Sequence, residues 1–188
     1  SSMKKAYIAW FSVFILFINV FVYIRFVQYP QSRQVIIAQE LRTISEPLST
    51  DSAVELTLTG TGDTLTSLSV FFSTYGRENQ GEISVEIFDG EKLVGQKTVD
   101  MNDLKDNASY DFTDLNVKLK KRATYRVRLT SIPIEGGVSV WFDDNGTLVS
   151  SCRQMHRITA LEWISVNVTY SILWLVILKM RFWLKKEG

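Results

Sequence analysis

Residues 65–89 read LTSLSVFFSTYGRENQGEISVEIFD, and this stretch decides the fold. In its first half Leu68, Val70 and Phe72 alternate with Ser69, Phe71 and Ser73. In its second half Ile83, Val85 and Ile87 alternate with Ser84, Glu86 and Phe88. A strict period of two puts one face of a strand in a core and the other toward solvent. The connector from Tyr75 to Gly81 is too long for a two-residue hairpin and is rich in hydrogen-bonding side chains. The two runs are therefore read as the centre of a β-sandwich, and the connector as one candidate binding edge.

Working outward, residues 28–44 are a linker containing Pro30 or a first strand, since Ile36, Ile37, Leu41 and Ile44 also fit a helical turn. Beyond them Val54, Leu56 and Leu58 alternate, Gly60 to Asp63 makes a turn, and Asp89-Gly90-Glu91 turns into a run at 93–99. A polar loop at 100–109 precedes Tyr110, Phe112, Leu115 and Val117, read as one strand with an irregular middle. After a solvated turn at 118–122, Tyr125, Val127 and Leu129 alternate, and Gly136-Gly137 leads into Val138, Val140 and Phe142. Eight or nine short strands without a convincing helix predict an all-β, antiparallel, jelly-roll-like sandwich over 45–150.

Two apolar runs flank it. Residues 6–24 carry no charge between Lys4-Lys5 and Arg25, enough helix to cross a hydrocarbon core of about 30 Å. No small-residue cleavage site follows, so 6–27 is read as an uncleaved transmembrane helix rather than a signal peptide. Residues 1–5 precede it, with Ser1 and Ser2 taken as an appended scar. A second span is predicted over 161–180, after a connector at 151–160 and before a basic tail at 181–188. Lys4, Lys5, Lys179, Arg181, Lys185 and Lys186 lie on one side; Arg25, Arg33, Arg153 and Arg157 lie on the other. This bias predicts a two-pass protein of the cell membrane, with both termini cytoplasmic and the middle outside. Asn19 and Asn167 fall at similar depth in the outer half of the spans. Either they bond to each other, for roughly 1 kcal/mol, or each faces another subunit or a water defect. Ser165, Thr169 and Ser171 would suit packing against further helices in a homo- or hetero-oligomer.

A net charge of +1 hides a segregation: residues 46–150 hold seventeen acids against ten bases, while the ends hold three against eleven. An acidic middle argues against nucleic acid, which is bound through Lys and Arg. One cysteine, Cys152, excludes an intrachain disulfide, and one histidine, His156, four residues away, makes no metal site alone. No nucleophile elbow or phosphate-binding glycine loop is present, and no carboxylate pair stands out for glycoside hydrolysis. No enzyme activity and no cofactor are expected. Asp143-Asp144-Asn145-Gly146 has the oxygen ligands calcium takes, but such a run is more often a plain turn.

Sugar binding needs aromatic faces for pyranose rings and planar amide, carboxylate or guanidinium partners for hydroxyls. Trp141, outward from Val140 and Phe142, is followed by Asp143 and Asn145; the connector adds Tyr75, Arg77, Glu78 and Asn79. Phe71 and Phe88 also fall opposite the core set. The competing reading is that these aromatics lie under loops. Asn107-Ala-Ser and Asn145-Gly-Thr are glycosylation sequons in predicted loops.

The segments Leu65 to Arg77, Gly81 to Asp89 and Tyr125-Arg-Val-Arg-Leu129 resemble extracytoplasmic β-jelly-roll domains of Gram-positive bacterial membrane proteins. These are related in fold to carbohydrate-binding modules, and some are appended to glycosyltransferases and polysaccharide-assembly proteins. The resemblance spans about residues 45–145 and fixes no sugar-contacting residue; no transferase domain is attached here. It implies a non-catalytic accessory protein that binds cell-surface glycan or docks a membrane glycosyltransferase. The alternative is a structural or sensory subunit whose sandwich binds another protein. Two spans also occur in chain-length regulators of polysaccharide export, but their external part has long helices that this sequence lacks.

Overall fold

The two alternating runs become strands β4 (Thr64–Ser73) and β5 (Gln80–Asp89). In the computed structural model of the protein, which describes residues 1–187, they do not pair but belong to different sheets. Their connector carries the chain across the core, so the runs face each other. Leu68, Val70 and Phe72 of one sheet and Ile83, Val85 and Ile87 of the other are completely buried. Burying each such side chain contributes about 1.5–3 kcal/mol.

β4 is the axis of a seven-stranded sheet. On one side it pairs antiparallel with β11 (Ser150–His156) and β10 (Ser139–Phe142), and on the other with β7 (Ala108–Phe112) and β8 (Val117–Lys118). β1 (Gln31–Ala38) adds to β11, and β2 (Thr43–Ile44) to β10. The second sheet has the order β3 (Val54–Thr59), β9 (Thr124–Glu135), β5 and β6 (Lys92–Asp100), all antiparallel. A 3₁₀ turn, Met101–Asp103, tucks Met101 and Leu104 into the core. The result is a jelly-roll-like antiparallel β-sandwich of eleven strands among the described residues, two of them only two residues long.

Several expectations are corrected. The irregular strand at 110–117 is two strands, β7 and β8, because Asp114 and Asn116 take positive φ (56° and 50°), and left-handed residues cannot continue a ladder. The ambiguous segment at 28–44 holds β1 and β2, with Val35 and Ile37 packed on the core. Most of the connector at 151–160 is β11, whose Cys152 and Gln154 face inward. The β unit thus spans Ser32–His156 rather than 45–150.

The other unit comprises residues 1–31 and the described residues from Arg157 onward. Its helices are α1 (Ser2–Val22), continued by a π-helical segment (Tyr23–Gln28), and α2 (Ala160–Lys186). With mean hydropathies of 2.2 and 1.6, both are long and apolar enough to cross a membrane. Aromatic pairs join them at Tyr7–Phe182, Phe11–Trp174, Phe14–Tyr170 and Phe14–Trp174, the last stacked at 5.4 Å. The basic tail is helical through Lys186, where lysines favour the helix C-terminus; its last residue, Gly188, lies outside the described residues.

Candidate functional site

The connector residues Tyr75, Arg77 and Asn79 come together at the end of the sandwich opposite His156, and most of their polar groups are occupied by protein. Tyr75 (φ 58°) and Gly76 (φ 62°) take successive left-handed conformations that reverse the chain. The Tyr75 hydroxyl bonds the Ser139 hydroxyl at 2.6 Å, and the Arg77 guanidinium lies 5.1 Å from its ring centre. Asn79 is buried. Its Nδ2 donates to the carbonyls of Thr74 (3.2 Å) and Arg77 (3.3 Å), while its Oδ1 accepts from Gly137 N–H (2.9 Å) and Arg77 Nε (3.2 Å). With both atoms engaged, Asn79 fastens the loop and is not offered to a ligand.

Asp106 holds the same loop from outside, its Oδ1 accepting from Thr74 N–H (2.7 Å) and Ser73 Oγ (3.1 Å). Desolvation pushes its carboxyl up, but the hydrogen bonds from Thr74, Ser73 and Gly76 outweigh this and hold it below the usual carboxylate value.

Trp141 lies elsewhere, in a row across the outer face of the seven-stranded sheet. Phe71 N–H donates to Val149 O (3.2 Å), Val149 N–H donates to Trp141 O (2.8 Å), and Trp141 is opposite Ile44. Flanked by Val149 and Ile44, Trp141 is half-buried, and its Nε1 is buried without a hydrogen-bond partner. Asp143 and Asn145 form a turn: Asp143 Oδ1 accepts the N–H groups of Asn145 and Thr147, both at 2.9 Å. Asp144 lies 3.5 Å from Arg42. The described residues contain no group of three or more His, Cys, Asp or Glu placed to hold a metal ion. The face of Phe88 is covered by the Arg126 guanidinium at 4.4 Å, which Glu55 holds at 2.7 Å.

A groove lies beside Phe71, and Tyr75, Arg77, Asn79, Trp141, Asp143 and Asn145 do not line it. A recess of about 220 Å³ is bounded by Gln34, Ile36, Gln39, Ser69, Phe71 and Ser109 among others. A second of about 90 Å³, sharing Gln34, Ser69 and Ser151 with it, runs on to Ser67, Asp111 and Arg153. Small serines keep the floor low, and the half-buried Phe71 ring forms one apolar wall. Alternation placed Ser69 and Phe71 on this face. Strand pairing then brought Ser109 (opposite Phe71), Asp111 and Ser151 (both opposite Ser69) and Arg153 (opposite Ser67) beside them, which no local pattern records.

An open recess of about 650 Å³ includes Glu55, Glu91 and Arg126 in its lining, and the Glu55 carboxylate there is ion-paired with Arg126.

In the helical unit Asn19 and Asn167 meet. Each amide donates to the other, at 2.8 and 3.1 Å, and Trp163 Nε1 donates to Asn19 Oδ1 at 2.6 Å. Their amide nitrogens also donate to the carbonyls of Ile15 and Trp163, one helical turn back.

Fold and site together define a β-sandwich protein with two long apolar helices. No family model matches the chain, and no curated protein matches it. Among solved structures it is similar to a ruminal GH26 endo-beta-1,4-mannanase, at 8% identity over 72% of this chain and 28% of that one, with a TM-score of 0.35. It is also similar to CsCBM6-3 from Clostridium stercorarium in complex with cellobiose, at 13% identity over 67% of this chain and 94% of that one (TM-score 0.30). A third is the infectious bursal disease virus VP2 subviral particle, at 9% identity over 70% and 38% (TM-score 0.34). The chain spans only 28% of the mannanase. These likenesses are distant.

Proposed function

We propose that this chain is a two-pass membrane protein whose sandwich lies outside the cell and binds glycan along the outer face of its seven-stranded sheet. In this reading it is a non-catalytic accessory of cell-envelope glycan assembly. The observation that carries the proposal is the serine-floored groove beside Phe71. An aromatic ring offers an apolar surface to the C–H face of a sugar. Gln34, Gln39, Asp111 and Arg153 supply amide, carboxylate and guanidinium partners for hydroxyls, the few convergent polar groups a specific site needs. The bases at the chain ends support the orientation through the positive-inside rule.

The test is a glycan array probed with the full chain in lipid nanodiscs, beside Phe71→Ala and Gln34→Ala. Binding that falls at least about tenfold in both variants supports the reading, tenfold being about 1.4 kcal/mol. A folded protein that binds no glycan, or binding indifferent to both substitutions, overturns it. The second reading, a structural or sensory subunit whose sandwich binds another protein, is favoured by a different observation, the exposed Ile132 and Ile134.

A further inference from the structure

β9 outruns its neighbour. Its last pairing with β3 is Leu129 opposite Val54, yet it continues to Glu135 paired with β5 alone. Along the outward face of β9 the residues are Arg126, Arg128 and Thr130, as solvent requires; the next two are Ile132 and Ile134. They are 63% and 79% exposed, and Pro133 between them is exposed too. No other large apolar side chain of the described residues is as exposed as Ile134.

Acids surround these isoleucines. Glu82 stands opposite Asp100 on one side and opposite Ile132 on the other, a like-charge cross-strand pair that is unfavourable in isolation. Among the described residues no base forms an ion pair with Glu82, Asp100 or Glu135. Between the carboxylates and the isoleucines lies a recess of about 340 Å³, lined by Gln80, Gly81, Glu82, Asp100, Ile132 and Ile134, with Asn102 at its rim.

We infer that this end of the four-stranded sheet docks a partner polypeptide presenting an apolar side chain flanked by Lys or Arg. The aliphatic stem of a Lys or Arg packs on Ile132 and Ile134 while its cation sits between Glu82 and Asp100, which removes the like-charge repulsion as well as the apolar exposure. The same carboxylates repel anionic lipid and nucleic acid. Pro133 lacks an N–H on the open edge and so disfavours an added strand. The basic turn at 118–122 of a second copy does not supply this pair, because its one apolar side chain, Leu119, is buried. This site is on the opposite sheet from the glycan groove and does not depend on it.

The test uses the full chain in nanodiscs to select binders from a phage-displayed library of short random peptides. Synthetic versions of the enriched sequences are then titrated by fluorescence anisotropy. The expected result is enrichment of sequences joining Leu, Ile or Phe to Lys or Arg. Their affinity should fall at least about tenfold in Ile134→Asp and in Glu82→Lys, and should weaken with added salt. Both positions are exposed, so neither variant should melt below the parent. Enrichment of acidic or uncharged peptides, or affinity unchanged in either variant, overturns the inference. So does binding of phosphatidylglycerol vesicles that requires Ile134.

Discussion

The side-chain amides of Asn19 and Asn167 form a reciprocal pair, each donating to the other, with Trp163 adding a third hydrogen bond to Asn19 Oδ1. In an apolar surrounding such groups have no water to fall back on, so each member depends on the others. Asn19→Leu should lower the stability of the helical pair by about 1 kcal/mol. The double variant Asn19→Leu/Asn167→Leu should cost less than the two single changes summed, because it leaves no amide stranded. Denaturant titration in detergent micelles, read by the far-ultraviolet helical circular dichroism signal, checks this; strict additivity would contradict it.

Asn79 ties the β4–β5 connector to the β9–β10 turn, and Gly136 makes room for it. Gly136 has φ +75°, and a Cβ there would collide with Asn79 Oδ1. Gly136→Ala should therefore destabilise the sandwich by more than about 1 kcal/mol, against a gain where a glycine is unconstrained. Asn79→Ala should cost about 1–3 kcal/mol by leaving the Gly137 N–H unpaired in a buried site, while the Thr74 carbonyl keeps its bond from Arg77 N–H. Urea midpoints of the parent and both variants give the measurement.

Asp106 makes the same loop sensitive to acid. Its folded carboxyl lies below the usual value, so the stabilisation is present above the unfolded pKa and is lost as pH falls through the folded one. Asp106→Asn should remove this dependence. The loss of stability between about pH 5 and pH 2 should be shallower in the variant than in the parent. Equal slopes would show that the hydrogen bonds to Thr74 and Ser73 do not outweigh desolvation.

Cys152 should behave as a core residue. It is buried on the inward face of β11, its thiol is pushed up by burial, and Gln154 Nε2 lies 3.6 Å from the sulfur. Since the thiolate is the reactive form, native protein should resist a water-soluble maleimide, and labelling should appear only with denaturant. Rapid labelling of the native chain would contradict the burial.

Much of this protein is written locally. The period-two runs at 68–72 and 83–87 determined which side chains form the core, because alternation alone sends them to one face. The apolar runs at 6–24 and 161–180 determined two helices of membrane-crossing length. The positions of Asn19 and Asn167 placed them at matching depth. Local patterns do not say which strands pair. That β4 and β5 face each other across the core depends on the whole chain, because strand pairing joins residues far apart in sequence. The same is true of the groove, where Ser69 meets Ser151 and Asp111 only once β11 and β7 flank β4. Asn79 was legible as a polar connector residue and Trp141 as an outward aromatic. Only tertiary structure decided that one would close a loop and the other lie half-buried between Val149 and Ile44, because hydrogen-bond partners and burial come from segments that the local sequence does not contain.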